Sequence, residues 1–365
     1  RCIPSDAGSS GWGASSIRVE VEKTRTTPRT SHQEYWGDVW GSWWDAGWET
    51  RKSGVFGAWG RIVNLDSHIF KSMSVATKFE NFCDNILISD QKVSDIKYRY
   101  ERITKQLNKD FYNIDSDKKN TWYVGSYGRD TDIHVSDIDI LFQIPLSVYE
   151  KYNNYSGNGQ SALLQQVKKS IENTYKTTDA HGDGQVVAVD FTDDINFEIV
   201  PGVLLKDNKW FWYPDTNNGG SWKTTNPFAE INAIRKNNIE WNYNLKKLCR
   251  MIRVWKDYCN VPIWWLLIDA LCNNFMKDWS NKDKSYLFYD WMIRDFFEFL
   301  KNQDTEQKYW LAPWSNQYVW RKGNFEYKAK LAYNISLEAI EYEKEGKEYS
   351  ANQKWKEIFG SKFIW

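Results

Sequence analysis

Two carboxylates separated by one residue form the chemically most informative pattern of this sequence. Asp137 and Asp139 lie in the segment DIDILF, whose apolar residues predict a β-strand. Residues i and i+2 of a strand project from the same face, so the two carboxylates are expected to lie close together. Neighbouring negative charges repel each other unless a cation lies between them, and oxygen ligands suit Mg²⁺ or Mn²⁺. The spacing therefore predicts a divalent-metal site.

A two-metal site needs a third carboxylate, and Glu198 is the best placed residue to supply it. In the segment INFEIVPG, Glu198 shares one strand face with Asn196 and Val200, while Phe197 and Ile199 take the opposite face. Asp190 is the alternative third carboxylate. The other acidic residues of this stretch are predicted to form a hairpin turn: Asp193 and Asp194.

Gly125 and Ser126 form the second part of the pattern, with Ser126 eleven residues before Asp137. A Gly-Ser turn offers backbone N–H groups and a hydroxyl, which suits a polyphosphate. His134 lies between the two parts and is predicted to be a loop residue, not a metal ligand. The carboxylate pair alone is weak evidence for a metal, but the Gly-Ser turn and the later acidic residue make the combination much stronger.

The hydrophobic pattern predicts the elements that must carry these residues. Helical spacing of apolar residues predicts a helix over 76–111, and TWYVGSYGRDT and DIDILFQIP are strand-like with a turn between them. A helix over 160–177 precedes a hairpin in which QVVAVDF pairs with INFEIVPGVLL. The remainder is predicted to be helical over about 228–259, 261–279, 285–302 and 324–344. The predicted fold is α+β and bilobal, with a catalytic lobe over 73–225 and a helical lobe over 226–365.

The first 72 residues differ in composition from the rest of the chain. They contain six Arg and three Lys, whereas the remainder contains eight Arg and 31 Lys. Such a change at Met73 favours a foreign or upstream segment over residues 1–72, which is left out of the fold prediction. The alternative is a genuine N-terminal appendage whose Trp side chains dock on another surface.

The charge balance and the Cys content exclude several classes of protein. Lys plus Arg and Asp plus Glu number 48 each, so any binding of nucleic acid must come from a local patch. Five Cys without a close CxxC pair predict neither a disulfide scaffold nor a zinc site. The longest apolar run, over 261–268, is far shorter than the roughly 20 residues of a membrane span. We therefore expect a cytoplasmic protein without a membrane partner.

From about Met73 to Trp365 the sequence resembles the bacterial cGAS/DncV-like nucleotidyltransferases, the CD-NTase family with its SMODS domain. GSYGRDTDIHVSDIDILF followed by FEIVPG resembles the catalytic core of that family, and SWKTTNPFAEINAI resembles its nucleotide-pocket segment. LKKLCRMIRVWKDY and the C-terminal segment from LAPWSNQYVW onward also resemble the family, most closely its E clade. The resemblance implies a polymerase-beta-like nucleotidyltransferase lobe, a mixed sheet with a long helix, and a helical C-terminal lobe that completes the nucleotide pocket.

The resemblance implies a synthase that uses ATP and GTP and releases pyrophosphate. Asp137, Asp139 and Glu198 would hold two Mg²⁺ or Mn²⁺ ions, one at the attacking ribose hydroxyl and one at the leaving pyrophosphate. The product is expected to be a cyclic dinucleotide, provisionally a cyclic GMP–AMP. It would activate an effector protein in antiphage defence.

The same resemblance assigns further residues to the nucleotide pocket. Gly125 and Ser126 would grip the donor triphosphate, and Arg253 takes the position of a basic triphosphate ligand. A salt-bridged surface helix is the alternative interpretation of the segment around Arg253. Trp264 and Trp265 depart from the family, in which many members have a small Ser beside the nucleotide. The other residues assigned to the pocket are Arg129, Trp222, Asn226 and Lys256.

A basic cluster lies on the second part of the predicted helical stretch 76–111 and in the residues just after it, and it suggests a partner. Seven cations lie within 23 residues of an otherwise neutral chain: Lys97, Arg99, Arg102, Lys105, Lys109, Lys118 and Lys119. One hypothesis is an activating RNA on this face, since the related cGAS and oligoadenylate synthetase are switched by double-stranded nucleic acid. The alternative is a solvated helix face.

Two other functions stay open at this point. One is a catalytically silent module of the same fold that only binds nucleic acid. The other is a different nucleotidyl transfer, such as synthesis of a linear oligonucleotide. Because Gly-Ser, the carboxylate pair and Glu198 are all present, the sequence favours an active enzyme.

Overall fold

The computed structural model describes the backbone of residues 67–364 and the side chains of residues 75–364. This part of the chain begins with helices α1 (Ser67–Asn85) and α2 (Asp90–Tyr112). Residues 76–111, predicted to be helical, are therefore helical apart from a break between Asn85 and Asp90. Ser89 ends the continuity because its side chain caps α2, accepting a hydrogen bond from the backbone N–H of Lys92. The segment 1–72, predicted to be foreign, lies almost wholly outside the described residues.

A seven-stranded mixed sheet forms the centre of the catalytic lobe. Its strands are β1 (Thr121–Tyr123), β2 (Ile138–Gln143), β3 (Asp179–Asp183), β4 (Val186–Asp190), β5 (Asn196–Leu204), β6 (Phe211–Asp215) and β7 (Ser221–Thr225). The spatial order is β1-β2-β5-β4-β3, and β6 joins β5 to β7. The β2–β5 pair is parallel and the other pairs are antiparallel, which confirms the predicted β4–β5 hairpin.

Three helices lie between the strands: α3 (Gly125–Arg129), α4 (Leu146–Asn153) and α5 (Gly159–Glu172). The segment GSYGR, predicted to be part of a strand-like stretch, is the short helix α3. One face of the sheet is buried against α2 and α5, through side chains such as Ile140 and Phe197 on the strands and Ile103 and Val167 on the helices. The alternation of β2 and β5 therefore leaves Asp139 and Glu198 on the opposite face.

The helical lobe contains α6 (Pro227–Glu240), α7 (Asn244–Tyr258), α8 (Trp265–Asp278), α9 (Tyr289–Lys301), the hairpin β8 (Tyr309–Leu311) and β9 (Tyr318–Trp320), α10 (Glu326–Lys344) and α11 (Glu348–Phe359). The helix predicted over 228–259 is divided into α6 and α7. Asn242 and Tyr243 have φ values of 50° and 62° between the two helices, and left-handed backbone ends an α-helix.

The two lobes have separate hydrophobic cores. The core of the helical lobe includes α1, because Phe79 packs edge-on against Trp355 of α11 at a centroid distance of 5.2 Å. Phe82 packs against Phe359 at 4.6 Å. The helical lobe is thus built from both ends of the described chain, although the sequence-based division places α1 in the catalytic lobe.

Candidate functional site

The parallel pairing of β2 with β5 brings together the predicted carboxylates. Asp139 is the register partner of Glu198, and register partners project to the same side of a sheet. Asp137 directly precedes β2 and is exposed, whereas Asp139 and Glu198 are half-buried. Asp139 and Glu198, on two paired strands, therefore lie side by side on the open face of the sheet, and Asp137 lies directly before β2.

The electrostatics of this group show mutual repulsion between the carboxylates. Burial, followed by the charge of Glu198, raises the pKa of Asp139 from 3.8 to about 7, with Asp137 adding to the effect. Burial raises the pKa of Glu198 as well, and the charges of Asp137, Asp183 and Asp190 act in the same direction. The carboxylates repel one another unless a cation lies between them. Such a set of oxygen ligands suits Mg²⁺ or Mn²⁺.

Helix α3 lies directly against these carboxylates. Gly125 has φ = 58°, and a Cβ atom at this residue would lie 1.7 Å from Oδ2 of Asp139. The backbone N–H of Val124 donates to the carbonyl oxygen of Asp139 at 2.9 Å, which ties the start of α3 to β2. Ser126 is half-buried, and its hydroxyl makes no hydrogen bond to any described residue. Gly125 is therefore required by both its backbone angle and its neighbour, and the Ser126 hydroxyl is available to a ligand.

A buried ionic network holds the other end of α3. Asp269 of α8 accepts hydrogen bonds from Nε of Arg129 and from the Thr131 hydroxyl, at 2.8 and 3.0 Å. Arg253 of α7 donates to both oxygens of the same carboxylate at 2.8 Å. The second carboxylate, Glu230 of α6, lies 3.4 Å from Arg129. This network joins α3 of the catalytic lobe to three helices of the helical lobe.

Burial opposes the ionisation of Asp269, but the charges of Arg253 and Arg129 outweigh it and hold its pKa below the ordinary value. Arg129 and Arg253 were assigned to the triphosphate by resemblance, and the structure places both in this network instead. Their side chains are 6% and 3% exposed, so neither guanidinium group faces an open site. Asp269 is not among the residues predicted for the site, although an isolated Asp within the apolar run LLIDALC indicates a buried charge that needs a partner.

The remaining residues assigned to the nucleotide pocket have other contacts. Lys256 lies 3.7 Å from the centroid of the Trp265 ring, and Trp265 also covers Arg253 at 5.1 Å. Trp222 donates from its indole N–H to Asn153, and the Asn226 side chain caps α6 by accepting from the backbone N–H of Ala229. In this structure Trp222 and Asn226 thus serve local packing and capping.

Asp190, the alternative third carboxylate, belongs to a separate cluster. With Asp179 and His181 of β3 it forms a group whose ligand atoms all lie within 4.8 Å of one another. The group continues the acidic face of the sheet, because His181 pairs with Ala188 and Ala188 pairs with Glu198. The register therefore favours Glu198, opposite Asp139, as the third member of the central carboxylate set.

The predicted turn and loop residues lie where the sequence indicates. Asp193 lies in the β4–β5 turn and accepts two hydrogen bonds from Arg99 of α2, at 2.7 and 2.9 Å. Asp194 follows it with φ = 68°. His134 is an exposed loop residue that pairs with Asp257 of α7 at 2.6 Å.

The basic cluster on α2 is only partly free. Arg99 is held by Asp193, Arg102 donates to the hydroxyl of Tyr98, and Lys105 pairs with Asp115 at 2.9 Å. The other four lysines of the cluster are exposed and form no ion pair with any described residue: Lys97, Lys109, Lys118 and Lys119. None of the described helices is long and apolar enough to cross a membrane.

The fold and the site define the class of polymerase-beta-like nucleotidyltransferases. Residues 73–238 match the Second Messenger Oligonucleotide or Dinucleotide Synthetase (SMODS) domain. A probable cyclic nucleotide synthase of Bacillus cereus is 24% identical over 218 residues, which is 55% of this chain. The chain spans 62% of the length of that relative.

Solved structures of the same family have the same fold. Escherichia coli CdnC in complex with a HORMA protein superposes with a TM-score of 0.58 at 12% identity, over 80% of this chain and 98% of CdnC. The Vibrio cholerae DncV cyclic AMP-GMP synthase, bound to a linear intermediate, gives 0.53 at 13% identity, over 81% and 89% of the two chains. The CdnE c-di-GMP synthase of Capnocytophaga granulosa gives 0.51 at 14% identity, over 73% and 82%.

Residues 73–238 thus carry the domain of the cGAS/DncV-like nucleotidyltransferases, the CD-NTase family. The prediction of that family is confirmed, and so is the prediction of an α+β, bilobal fold.

Proposed function

We propose that this chain is a metal-dependent nucleotidyltransferase that joins nucleoside triphosphates into a cyclic nucleotide. The observation that carries the proposal is the contact between the Gly125 backbone and Asp139, in register with Glu198. It puts a loop suited to a polyphosphate against a carboxylate set suited to divalent cations. The related cyclic nucleotide synthase and dinucleotide cyclase support the choice of reaction.

Asp137, Asp139 and Glu198 are the residues that would hold the cations, two Mg²⁺ or Mn²⁺ per site. Their fit rests on burial and on the repulsion between the carboxylates, which together raise the pKa of Asp139 to about 7. When bound, divalent cations would lower the pKa of the attacking hydroxyl and offset the charge of the leaving pyrophosphate. The double variant Asp137→Ala with Asp139→Ala should fold and bury the same core, yet turn over no nucleoside triphosphate.

The chain's own residues would bind and orient the donor. Free N–H groups in the first turn of α3 and the Ser126 hydroxyl would hold its triphosphate. A ribose oxygen of the acceptor would then form a bond to the α-phosphorus as the bond to pyrophosphate breaks, and the hydroxyl proton would pass to solvent water. In such a transfer the protein contributes positioning and charge stabilisation instead of a covalent intermediate.

The substrates are proposed to be ATP and GTP, and the product a cyclic dinucleotide such as a cyclic GMP–AMP. Structures of CdnC with ATP and of Escherichia coli DncV with 3'-deoxy GTP support purine substrates. A diffusible product of this kind would act on an effector protein in antiphage defence. Membership of the E clade remains a prediction, as does a cytoplasmic location.

Product analysis with radiolabelled triphosphates tests the proposal. Each of the four nucleoside triphosphates is supplied in labelled form with Mg²⁺ or Mn²⁺, and the products are separated before and after phosphatase treatment. A phosphatase-resistant labelled product supports cyclisation. An end product that phosphatase degrades indicates linear oligonucleotide synthesis, and no product in any mixture indicates a silent module.

Activation by RNA is the second proposal, and the exposed lysines of α2 and the following loop favour it. Because Arg99, Arg102 and Lys105 have partners within the protein, the face would consist of Lys97, Lys109, Lys118 and Lys119. Lys118→Glu with Lys119→Glu should weaken RNA binding and flatten its dependence on salt. A full rate after nuclease treatment, with no effect of added RNA, would leave this face as a solvated surface.

A further inference from the structure

A cavity of about 780 Å³ lies in the helical lobe, away from the carboxylates. It is bounded by the C-terminal end of α6, by α8 and by the β8–β9 hairpin. Its walls combine aromatic rings with amide side chains, including Tyr309, Trp314, Asn237, Asn273 and Asn316. Its volume is within the range of small-molecule sites, which is about 300–1,000 Å³.

The polar groups of the cavity are only partly used within the protein. Asn237 donates to the carbonyl oxygen of the Asn273 amide at 2.6 Å, which leaves the Asn237 carbonyl and the Asn273 NH₂ group for a ligand. The indole nitrogen of Trp241, a lining residue, is buried and has no hydrogen-bond partner among the described residues. Tyr309 and Trp314 are 42% and 53% exposed, so their ring faces can be covered.

The charges around the cavity favour an anion. Lys277 lies in its wall together with a single carboxylate, Glu240. Two further lysines contact the lining rings: Lys236 lies 5.3 Å from the centroid of Trp314, and Lys282 lies 5.7 Å from that of Trp241.

We propose that this cavity is a second nucleotide site, which binds a purine nucleotide. Aromatic faces stack on a purine, and paired amide donors and acceptors match the polar edge of the base. The lysines at the rim would balance the phosphate charge. The ligand is either a nucleoside triphosphate or the cyclic dinucleotide product, which share this chemistry.

The cavity wall is connected to the donor helix, which is α3, the helix proposed to hold the donor triphosphate. Trp314 lies in the hairpin turn with φ = 60°, a strained angle for a bulky residue. The next residue, Ser315, donates from its hydroxyl to Glu230 at 2.9 Å, and Glu230 lies 3.4 Å from Arg129 at the end of α3. A ligand that stacks on Trp314 therefore shifts the turn that supports Arg129. This regulatory role rests on the proposed function, whereas binding does not.

Photolabelling of the full chain with 8-azido-ATP tests the site, with labelled peptides mapped by mass spectrometry. We expect label in the peptide of residues 309–316 as well as in the donor-helix peptide. Trp314→Ala should reduce the cavity label at least fivefold. Tyr349→Ala is the control, since Tyr349 is an exposed ring of α11 outside the cavity. It should change the label less than twofold.

Competition by unlabelled ATP or by cyclic GMP–AMP shows whether the cavity binds the nucleoside triphosphate or the cyclic dinucleotide. Label confined to the donor-helix peptide, or cavity label unchanged by Trp314→Ala, would overturn the second site. The labelling does not require turnover, so a labelled cavity in a chain that makes no product would reject the proposed function alone. For the regulatory role, a competing nucleotide should change the initial rate at least twofold in Tyr349→Ala but not in Trp314→Ala. Equal changes of rate in the two variants would overturn it.

Discussion

Glu198 completes the carboxylate set because the strand register places it opposite Asp139, whereas Asp190 lies on the next strand. Glu198→Ala should lower the rate of nucleotide transfer by more than the roughly 10–100-fold loss expected for an outer-shell partner of a metal ligand. Asp190→Ala is the matched control and should stay within that range. Initial rates at saturating Mg²⁺ measure both variants, and a larger loss in Asp190→Ala would exchange the two assignments.

The raised pKa of Asp139 predicts two opposite effects of pH. A metal ligand must lose its proton, so the apparent Mg²⁺ affinity should fall about tenfold per pH unit below pH 7 and level off above it. Between pH 3.8 and about 7, Asp139 keeps its proton in the folded, metal-free protein but has lost it in the unfolded chain. The stability of the metal-free protein should therefore fall as the pH rises from the ordinary value of 3.8 to about 7.

Asp139→Asn carries no such proton and separates the two effects. It should abolish nucleotide transfer, yet raise the Tm of the metal-free protein at pH 8 more than at pH 5. Thermal unfolding at both values measures the difference between the variant and the unchanged chain. An equal shift at both values would mean that Asp139 titrates near its ordinary pKa.

At the scale of the element, α3 can lie directly against Asp139 because Gly125, its first residue, has no side chain. Gly125→Ala should cause a large loss of activity, since its Cβ would occupy the position of the Asp139 carboxylate. Gly184→Ala is the control: Gly184 has φ = 55°, but a Cβ there would meet its nearest atom only at 3.8 Å. Both variants carry the backbone penalty of about 1–2 kcal/mol, and only Gly125→Ala adds the clash. Rates and urea unfolding curves distinguish the two, and equal losses of activity would remove the steric argument.

The buried network makes α3 dependent on the helical lobe. Asp269→Asn would leave Arg129 and Arg253 with one charged partner, Glu230, and should cost about 3–5 kcal/mol of unfolding free energy. Asp193→Asn removes the carboxylate charge at Arg99 on a more exposed surface and should cost about 1 kcal/mol or less. Denaturant unfolding measures both changes. If Asp269→Asn costs no more than Asp193→Asn, the network does not hold the helix.

Local sequence patterns predict the strands that carry the carboxylates, but they do not predict which charged side chains form ion pairs across the fold. The alternation around Asp139 and Glu198 is contained in a few residues, so both carboxylates could be placed from the sequence. Arg129 and Asp269 are 140 residues apart, and no local period reports that they meet. The break between α1 and α2 is equally hard to predict, because it coincides with one capping hydrogen bond of Ser89 within an otherwise helical pattern.

At the scale of the whole molecule, side chains of both lobes meet at the end of α3. Arg129 comes from the catalytic lobe, while Asp269, Arg253 and Glu230 come from three helices of the other lobe. A movement of the helical lobe therefore reaches α3 directly.

The N-terminal boundary follows from the packing of α1. Phe79 and Phe82 are fully buried in the core of the helical lobe, and loss of one such side chain costs about 3–5 kcal/mol. Removal of residues 1–66 should therefore leave the Tm and the rate of nucleotide transfer nearly unchanged, as the composition of that segment suggests. Removal of residues 1–85 should prevent stable folding, because it takes both rings away. Circular dichroism melting and rate measurements on the two truncated chains test the boundary. A large loss in the shorter truncation would instead make the Trp-rich segment part of the working protein.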